Sequence, residues 1–123
     1  MSGRTALVVD DSASMRTLVS QTLATKGFTV VEASNGEEAL KAAKGIVKLD
    51  LVITDLNMPV MDGITFVQRL REIGAFKFIP VLLLTTESRT EQKDKAKVAG
   101  ATGWLCKPFD PAKLTAVVQR VLP

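Results

Sequence analysis

The chain has 123 residues, 46% of them apolar, which suits one domain around one packed core. Its 16 Lys and Arg against 13 Asp and Glu leave a formal charge of +3, too small an excess to imply nucleic acid, and aromatics at 5% are too sparse for reading single strands. Histidine is absent and Cys106 is the lone cysteine, so Ser-His-Asp and Cys-His catalysis, the usual zinc ligand sets and an internal disulfide are all excluded.

Taken in order, Thr5 to Val9 is short, apolar and β-branched and stops at Asp10-Asp11-Ser12, which predicts a first strand. Met15, Leu18, Val19 and Leu23 recur at helical spacing, and Gly27 offers a left-handed cap just after Lys26. Phe28 to Ala33 reads as a second strand. Asn35 followed by Glu38 has the form of a capping box and opens a helix through about Lys44. Leu51 to Thr54 is a third apolar strand with Asp55 where it ends, followed by a turn-rich loop, Leu56-Asn57-Met58-Pro59-Val60-Met61-Asp62-Gly63. Asp62 predicts the cap of a third helix that turns Ile64, Val67 and Leu70 inward and closes near Gly74. Val81 to Thr85 is the most apolar strand. Ser88-Arg89-Thr90-Glu91 repeats the capping-box pattern and starts a fourth helix to Gly100, whose thin apolar stripe (Ala96, Val98, Ala99) predicts loose attachment. Trp104 to Cys106 is a short fifth strand. Asp110-Pro111 then opens a fifth helix with an inward face of Leu114, Val117, Val118, Val121 and Leu122.

Five strands alternating with five helices predict a three-layer α/β domain over residues 1–123, doubly wound around a parallel sheet covered on both faces. Right-handed crossovers leave few strand orders, of which 2-1-3-4-5 is common. It sets the ligand-binding crevice between the ends of strands one and three, where Asp10, Asp11 and Asp55 fall. Three converging carboxylates repel one another, and a divalent cation relieves this; an all-oxygen set with room for water suits Mg²⁺. With metal bound, a carboxylate can act as nucleophile in phosphoryl transfer, given cations and donors placed in advance. Thr85 and Lys107, at the ends of strands four and five, are candidates. Singly, each has a plainer role: a cap for Asp10 or Asp11, a strand former for Thr85, a solvated cation for Lys107, a core aromatic for Trp104. Their succession along one sheet edge is what favours chemistry.

Asp10-Asp11-Ser12, Asp55 within Thr54 to Gly63, Thr85 and Lys107-Pro108-Phe109 together resemble the receiver domain of two-component response regulators over essentially the whole chain. Thr85-Thr86-Glu87-Ser88 and Gly100 to Trp104 are most similar to the stand-alone, chemotaxis (CheY-like) branch, which implies the flavodoxin/CheY-like order given above. The resemblance implies that Asp55 accepts phosphate from a phosphohistidine on a histidine kinase. It implies that Asp10, Asp11, Asp55 and the backbone carbonyl of Asn57 hold Mg²⁺, and that Lys107 pairs with the phosphoryl group. Thr85 and Trp104 would switch the face made by helix four, strand five and helix five, and Asn57 and Glu87 would tune dephosphorylation. Trp104 departs from the family's commoner Tyr or Phe. A cis peptide before Pro108 is usual in the family. Implied partners are a chemotaxis-type kinase, a downstream protein such as the flagellar motor switch, and a phosphatase, for a protein that is a monomer and not an enzyme beyond its own phosphoryl transfer and autodephosphorylation.

Two alternatives stay within signalling: a phosphate sink and an adaptor. Outside it, a Mg²⁺-dependent aspartyl phosphohydrolase would want Asp-x-Asp after strand one, whereas the nearest match is Asp55-Leu56-Asn57 after strand three. A flavin binder would want a hydroxyl- and glycine-rich loop where Asp10-Asp11-Ser12 stands. The longest apolar run, near Val81 to Leu84, is too short for a membrane span, no secretory signal opens the chain, and a reducing cytoplasm is the expected setting. An end at Leu122-Pro123 leaves no room for an effector domain, so output is expected through a separate protein.

Overall fold

The computed structural model describes residues 3–86 and 90–122. Strands β1 (Thr5–Val9), β2 (Thr29–Ala33), β3 (Leu51–Asp55), β4 (Val81–Thr85) and β5 (Gly103–Cys106) alternate with helices α1 (Ala13–Thr25), α2 (Gly36–Lys44), α3 (Gly63–Arg71), α4 (Thr90–Ala99) and α5 (Pro111–Val121). The strands pair in parallel in the order 2-1-3-4-5. Among the described residues no helix is long and apolar enough to cross a membrane.

Parity along the strands sorts the core into two layers, because successive side chains point to opposite faces. Leu7, Val9, Val52, Val81 and Leu83 pack beneath α2, α3 and α4, joining Ala39, Ala43, Phe66, Val67, Leu70, Ala96 and Ala99. Ala6, Val8, Leu51, Ile53, Leu82 and Leu84 face the other way onto Val19, Leu23, Leu114 and Val118 of α1 and α5. β3 and β4 are buried at every residue, whereas the edge strand β2 is half-exposed.

Local chemistry sets the helix starts. Ser12, Asn35, Asp62 and Asp110 each accept from the backbone N–H three residues on, and Pro111 fills the first turn of α5. Gly27 takes the left-handed conformation, φ 91°, after α1. The box at Asn35 is not reciprocal: the Glu38 carboxylate turns back to the N–H and hydroxyl of Ser34 instead, and these bonds hold it below the usual carboxylate range.

Other expectations need correcting. β3 includes Asp55 and β5 begins at Gly103. α3 ends at Arg71, and Gly74 belongs to a separate 3-10 turn, Gly74–Phe76. The inward residues of α3 are Phe66, Val67 and Leu70, with Ile64 only partly covered. On α5 only Leu114 and Val118 are fully buried; Val117, Val121 and Leu122 pack at the rim. Val98, expected in the stripe of α4, is 88% exposed, so among the described residues Ala96 and Ala99 are the ones that seat that helix on the core. The capping box at Ser88 and Arg89 lies outside the described residues, as does Glu87.

The far end of α4 is held by a group that periodicity does not show. Arg71 donates through Nε and Nη2 to the carbonyl of Gly100, at 3.1 and 2.7 Å, and through Nη1 to Phe76 O and Ile79 O, at 2.8 and 2.7 Å. One guanidinium thus closes α3, the 3-10 turn, the approach to β4 and the exit of α4.

Candidate functional site

The sheet order brings the carboxyl ends of β1 and β3 side by side, with those of β4 and β5 following. Val9 pairs with Thr54, so Asp10 and Asp55, one residue further on each strand, meet at the edge. Thr85 ends β4 opposite Cys106, and Lys107 follows, its N–H donating to Thr85 O at 2.8 Å.

Each side chain is held differently. Asp10 is almost fully buried, at 1% exposure; its Oδ1 accepts from Ser12 N at 2.9 Å. Its Oδ2 is buried without a hydrogen bond, with Lys107 Nζ at 3.6 Å. Asp11 is exposed. Asp55 is buried, and its Oδ1 accepts from Leu56 N at 3.0 Å and from Lys107 Nζ at 3.1 Å. Asp10, Asp11 and Asp55 each present a carboxylate oxygen within 4.8 Å of the others. One lysine against three carboxylates leaves an excess of negative charge at a partly dehydrated edge.

Burial pushes the Asp10 carboxyl above its ordinary value of 3.8; the Ser12 N–H pulls the other way, the Asp55 charge raises it further, Lys107 lowers it and Asp11 raises it. The folded protein therefore holds this proton more tightly than the unfolded chain. The associated loss of stability is absent at low pH and sets in as pH rises through the carboxylate range. Asp10→Asn is accordingly expected to raise the unfolding midpoint of chelator-treated protein at neutral pH, a gain that shrinks as pH falls toward 3.8. Parallel thermal melts of both proteins across that range check this, and a lower midpoint for the variant at neutral pH would contradict it.

These residues fit a hard divalent cation. The set is all oxygen, one member is a buried carboxylate oxygen lacking a hydrogen bond, and an exposed carboxylate leaves one side open to water.

The loop after Asp55 is shaped by its backbone. Met61 N donates to Pro59 O at 2.7 Å across Val60, which sits at φ 71°, a costly conformation for a β-branched residue. Gly63 N returns to Leu56 O at 2.8 Å, closing the loop against the strand end. Asn57 is exposed on this loop, and the Lys107-Pro108 peptide is cis.

Thr85 is buried at the end of β4. Trp104 lies on β5 opposite Leu83, partly covered, its Nε1 buried without an acceptor, beside a cleft of about 190 Å³ lined by Lys93, Ala96, Lys97 and the Ala101 to Trp104 segment. Lys93 Nζ stands 6.0 Å from the indole centroid. Of the residues singled out from sequence, the structure brings together Asp10, Asp11, Asp55 and Lys107, with Thr85 at the neighbouring strand end. Trp104 stands apart, along β5, and Glu87 lies outside the described residues. Sequence reasoning passed over Arg16, whose Nη1 donates to Asp10 O at 2.7 Å. Its position one turn into α1, after a capping serine, was the available signal.

Known proteins resemble this chain over nearly its whole length. Residues 6–119 match the response regulator receiver domain. The chain is 38% identical over 117 residues to the chemotaxis protein CheY1 of Helicobacter pylori, covering 94% of each. It superposes on the structure of chemotaxis protein CheY4 of Vibrio cholerae with a TM-score of 0.93, at 48% identity over 97% of this chain and 98% of that one. The receiver domain of a sensor histidine kinase from Pseudomonas aeruginosa, solved with a magnesium ion coordinated in its active-site cleft, has a TM-score of 0.87 at 26% identity over 98% of both chains.

Proposed function

The chain belongs to the response regulator receiver domain family, and from that premise we propose that residues 1–123 form one phosphorylation switch of the chemotaxis type, working in the cytoplasm. The observation that carries this reading is the meeting of Asp10, Asp11, Asp55 and Lys107 at one sheet edge.

In the proposed reaction a carboxylate oxygen of Asp55 attacks the phosphorus of a phosphohistidine on a histidine kinase. The new O–P bond forms as the P–N bond breaks, and the imidazole leaves and takes up a proton. Asp55 Oδ1 accepts from Leu56 N and Lys107 Nζ, and these bonds fix the orientation of the reacting carboxylate. Lys107 offers a cation beside the incoming phosphoryl group. Asp10, Asp11, Asp55 and the carbonyl of Asn57 would hold Mg²⁺, which supplies positive charge to offset that of the phosphoryl oxygens.

Thr85 is proposed to hydrogen-bond the phosphoryl group, and Trp104 to move into the space this vacates. The lean seat of α4 on Ala96 and Ala99 makes that helix the element which a new charge at Asp55 can bias. The resulting α4, β5 and α5 face would bind a separate protein such as the flagellar motor switch, with a phosphate sink or an adaptor as the other roles such a switch can serve. A phosphatase is a further proposed partner, Asn57 and Glu87 would tune the phosphate lifetime, and the free protein is proposed to be a monomer. The chain acts by binding rather than by releasing a product.

The test uses Trp104, the only tryptophan. Adding beryllofluoride in the presence of Mg²⁺ is expected to change its fluorescence, and Lys107→Ala is expected to bind Mg²⁺ yet lose that response. An unchanged spectrum in the wild type would overturn the switch.

A further inference from the structure

We propose that Arg16 is the positioning residue of the acid pair, acting through the main-chain carbonyl of Asp10 to set both Asp10 and Asp11 for a divalent cation; the proposal rests on the magnesium reading above.

The contact is to backbone, and that is what makes it directive. Arg16 Nη1 donates to Asp10 O at 2.7 Å. This oxygen belongs to the peptide joining Asp10 to Asp11, so one short bond fixes the plane from which both residues depart. Asp10 is held elsewhere as well: its N–H donates to Ala33 O at 3.2 Å and its Oδ1 accepts from Ser12 N at 2.9 Å. Three of its four polar atoms are thereby hydrogen-bonded. The fourth, Oδ2, is buried without a hydrogen bond and turns toward the cluster, with Lys107 Nζ at 3.6 Å.

The guanidinium is itself oriented. Arg16 Nε donates to Glu32 Oε1 at 3.1 Å, from a helix whose first turn is capped by Ser12. Glu32 is half-exposed, so as an ion pair it adds little energy; its effect is to hold the planar fork in line with Asp10 O. Residues that orient a metal ligand without touching the metal contribute to affinity through geometry.

Geometry and charge predict opposite signs. If Arg16 acted only as a cation near three carboxylates, removing it would tighten Mg²⁺ binding, and Arg16→Lys would leave it unchanged. As a positioning residue it cannot be replaced by lysine, which lacks a second donor in a fixed plane.

Calorimetric titration of Mg²⁺ into the full chain at fixed ionic strength separates these cases without any phosphoryl donor. Wild type is expected to bind. Arg16→Lys and Arg16→Gln are each expected to bind about tenfold more weakly, and Glu32→Ala, which removes the acceptor of Arg16 Nε, to bind more weakly than Glu32→Gln, which keeps an oxygen there. Unchanged or tighter binding by Arg16→Gln would overturn the proposal. Should circular dichroism show that the Arg16 variants do not fold, the two Glu32 variants decide between themselves: both lose the charge and only Glu32→Ala loses the acceptor of Arg16 Nε, so equal affinities of that pair overturn the proposal. A wild type that takes up no Mg²⁺ defeats the magnesium reading itself, a result distinct from a wild type that binds while its variants do so equally well.

Discussion

Asp55→Asn is expected to abolish phosphoryl uptake while leaving the fold intact. The amide is nearly isosteric with the carboxylate, and its carbonyl oxygen can still accept from Leu56 N and Lys107 Nζ, the two donors now on Asp55 Oδ1. What it loses is the nucleophile. The substitution also removes one of three mutually repelling charges, so the unfolding midpoint should hold or rise. Incubation with acetyl phosphate and Mg²⁺ followed by intact-mass measurement checks both halves when paired with a melt. Uptake by the variant at the wild-type level would move the phosphoacceptor to another acid.

Gly63→Ala is expected to damage the same site through the backbone. A Cβ at Gly63 would lie 2.3 Å from Asp55 O and 2.9 Å from Leu56 Cα, with Leu83 Cδ2 at 3.1 Å. Two of these three neighbours are main-chain atoms, so no side chain can swing away to relieve the clash. Gly63 also donates to Leu56 O at 2.8 Å, and the bond that shuts the loop is strained by the same displacement. The cost is about 3 kcal/mol at the upper end of overpacking effects, and the strain falls on Asp55 itself. Urea unfolding should show a lower midpoint at unchanged slope, with slower phosphoryl uptake by whatever remains folded. Wild-type stability would contradict the close approach.

The parts of this site legible in the sequence were those that depend on strand ends. An apolar run that stops at an acid, a hydroxyl or a lysine marks the sheet edge whatever the details of packing, so Asp10, Asp55, Thr85 and Lys107 could be placed before any coordinates. Helix starts at Asn35, Asp62 and Asp110 were equally accessible, because a cap is a local bond between neighbours in the chain.

Two kinds of feature were not legible. One is the choice of face on a helix with few apolar residues: α4 offers Ala96, Val98 and Ala99, and only contact with the sheet decides that Val98 points to solvent. α3 shows the same limit, since Phe66 rather than Ile64 completes its buried face. The other is long side chains whose partner is backbone. Arg71 donates to Gly100 O, Arg16 donates to Asp10 O, and Glu38 accepts from Ser34 N, and none of these leaves a period in the sequence.

The central claim is that the carboxylate cluster serves phosphoryl transfer to Asp55, and mass spectrometry after exposure to a small phosphoryl donor tests it most directly. With acetyl phosphate and Mg²⁺, the wild-type chain is expected to gain the mass of one phosphoryl group, mapped to Asp55 after borohydride trapping and proteolysis, and to gain none when the metal is chelated. A chain that stays at its unmodified mass with Mg²⁺ present, or that carries the group on any residue other than Asp55, would contradict the account.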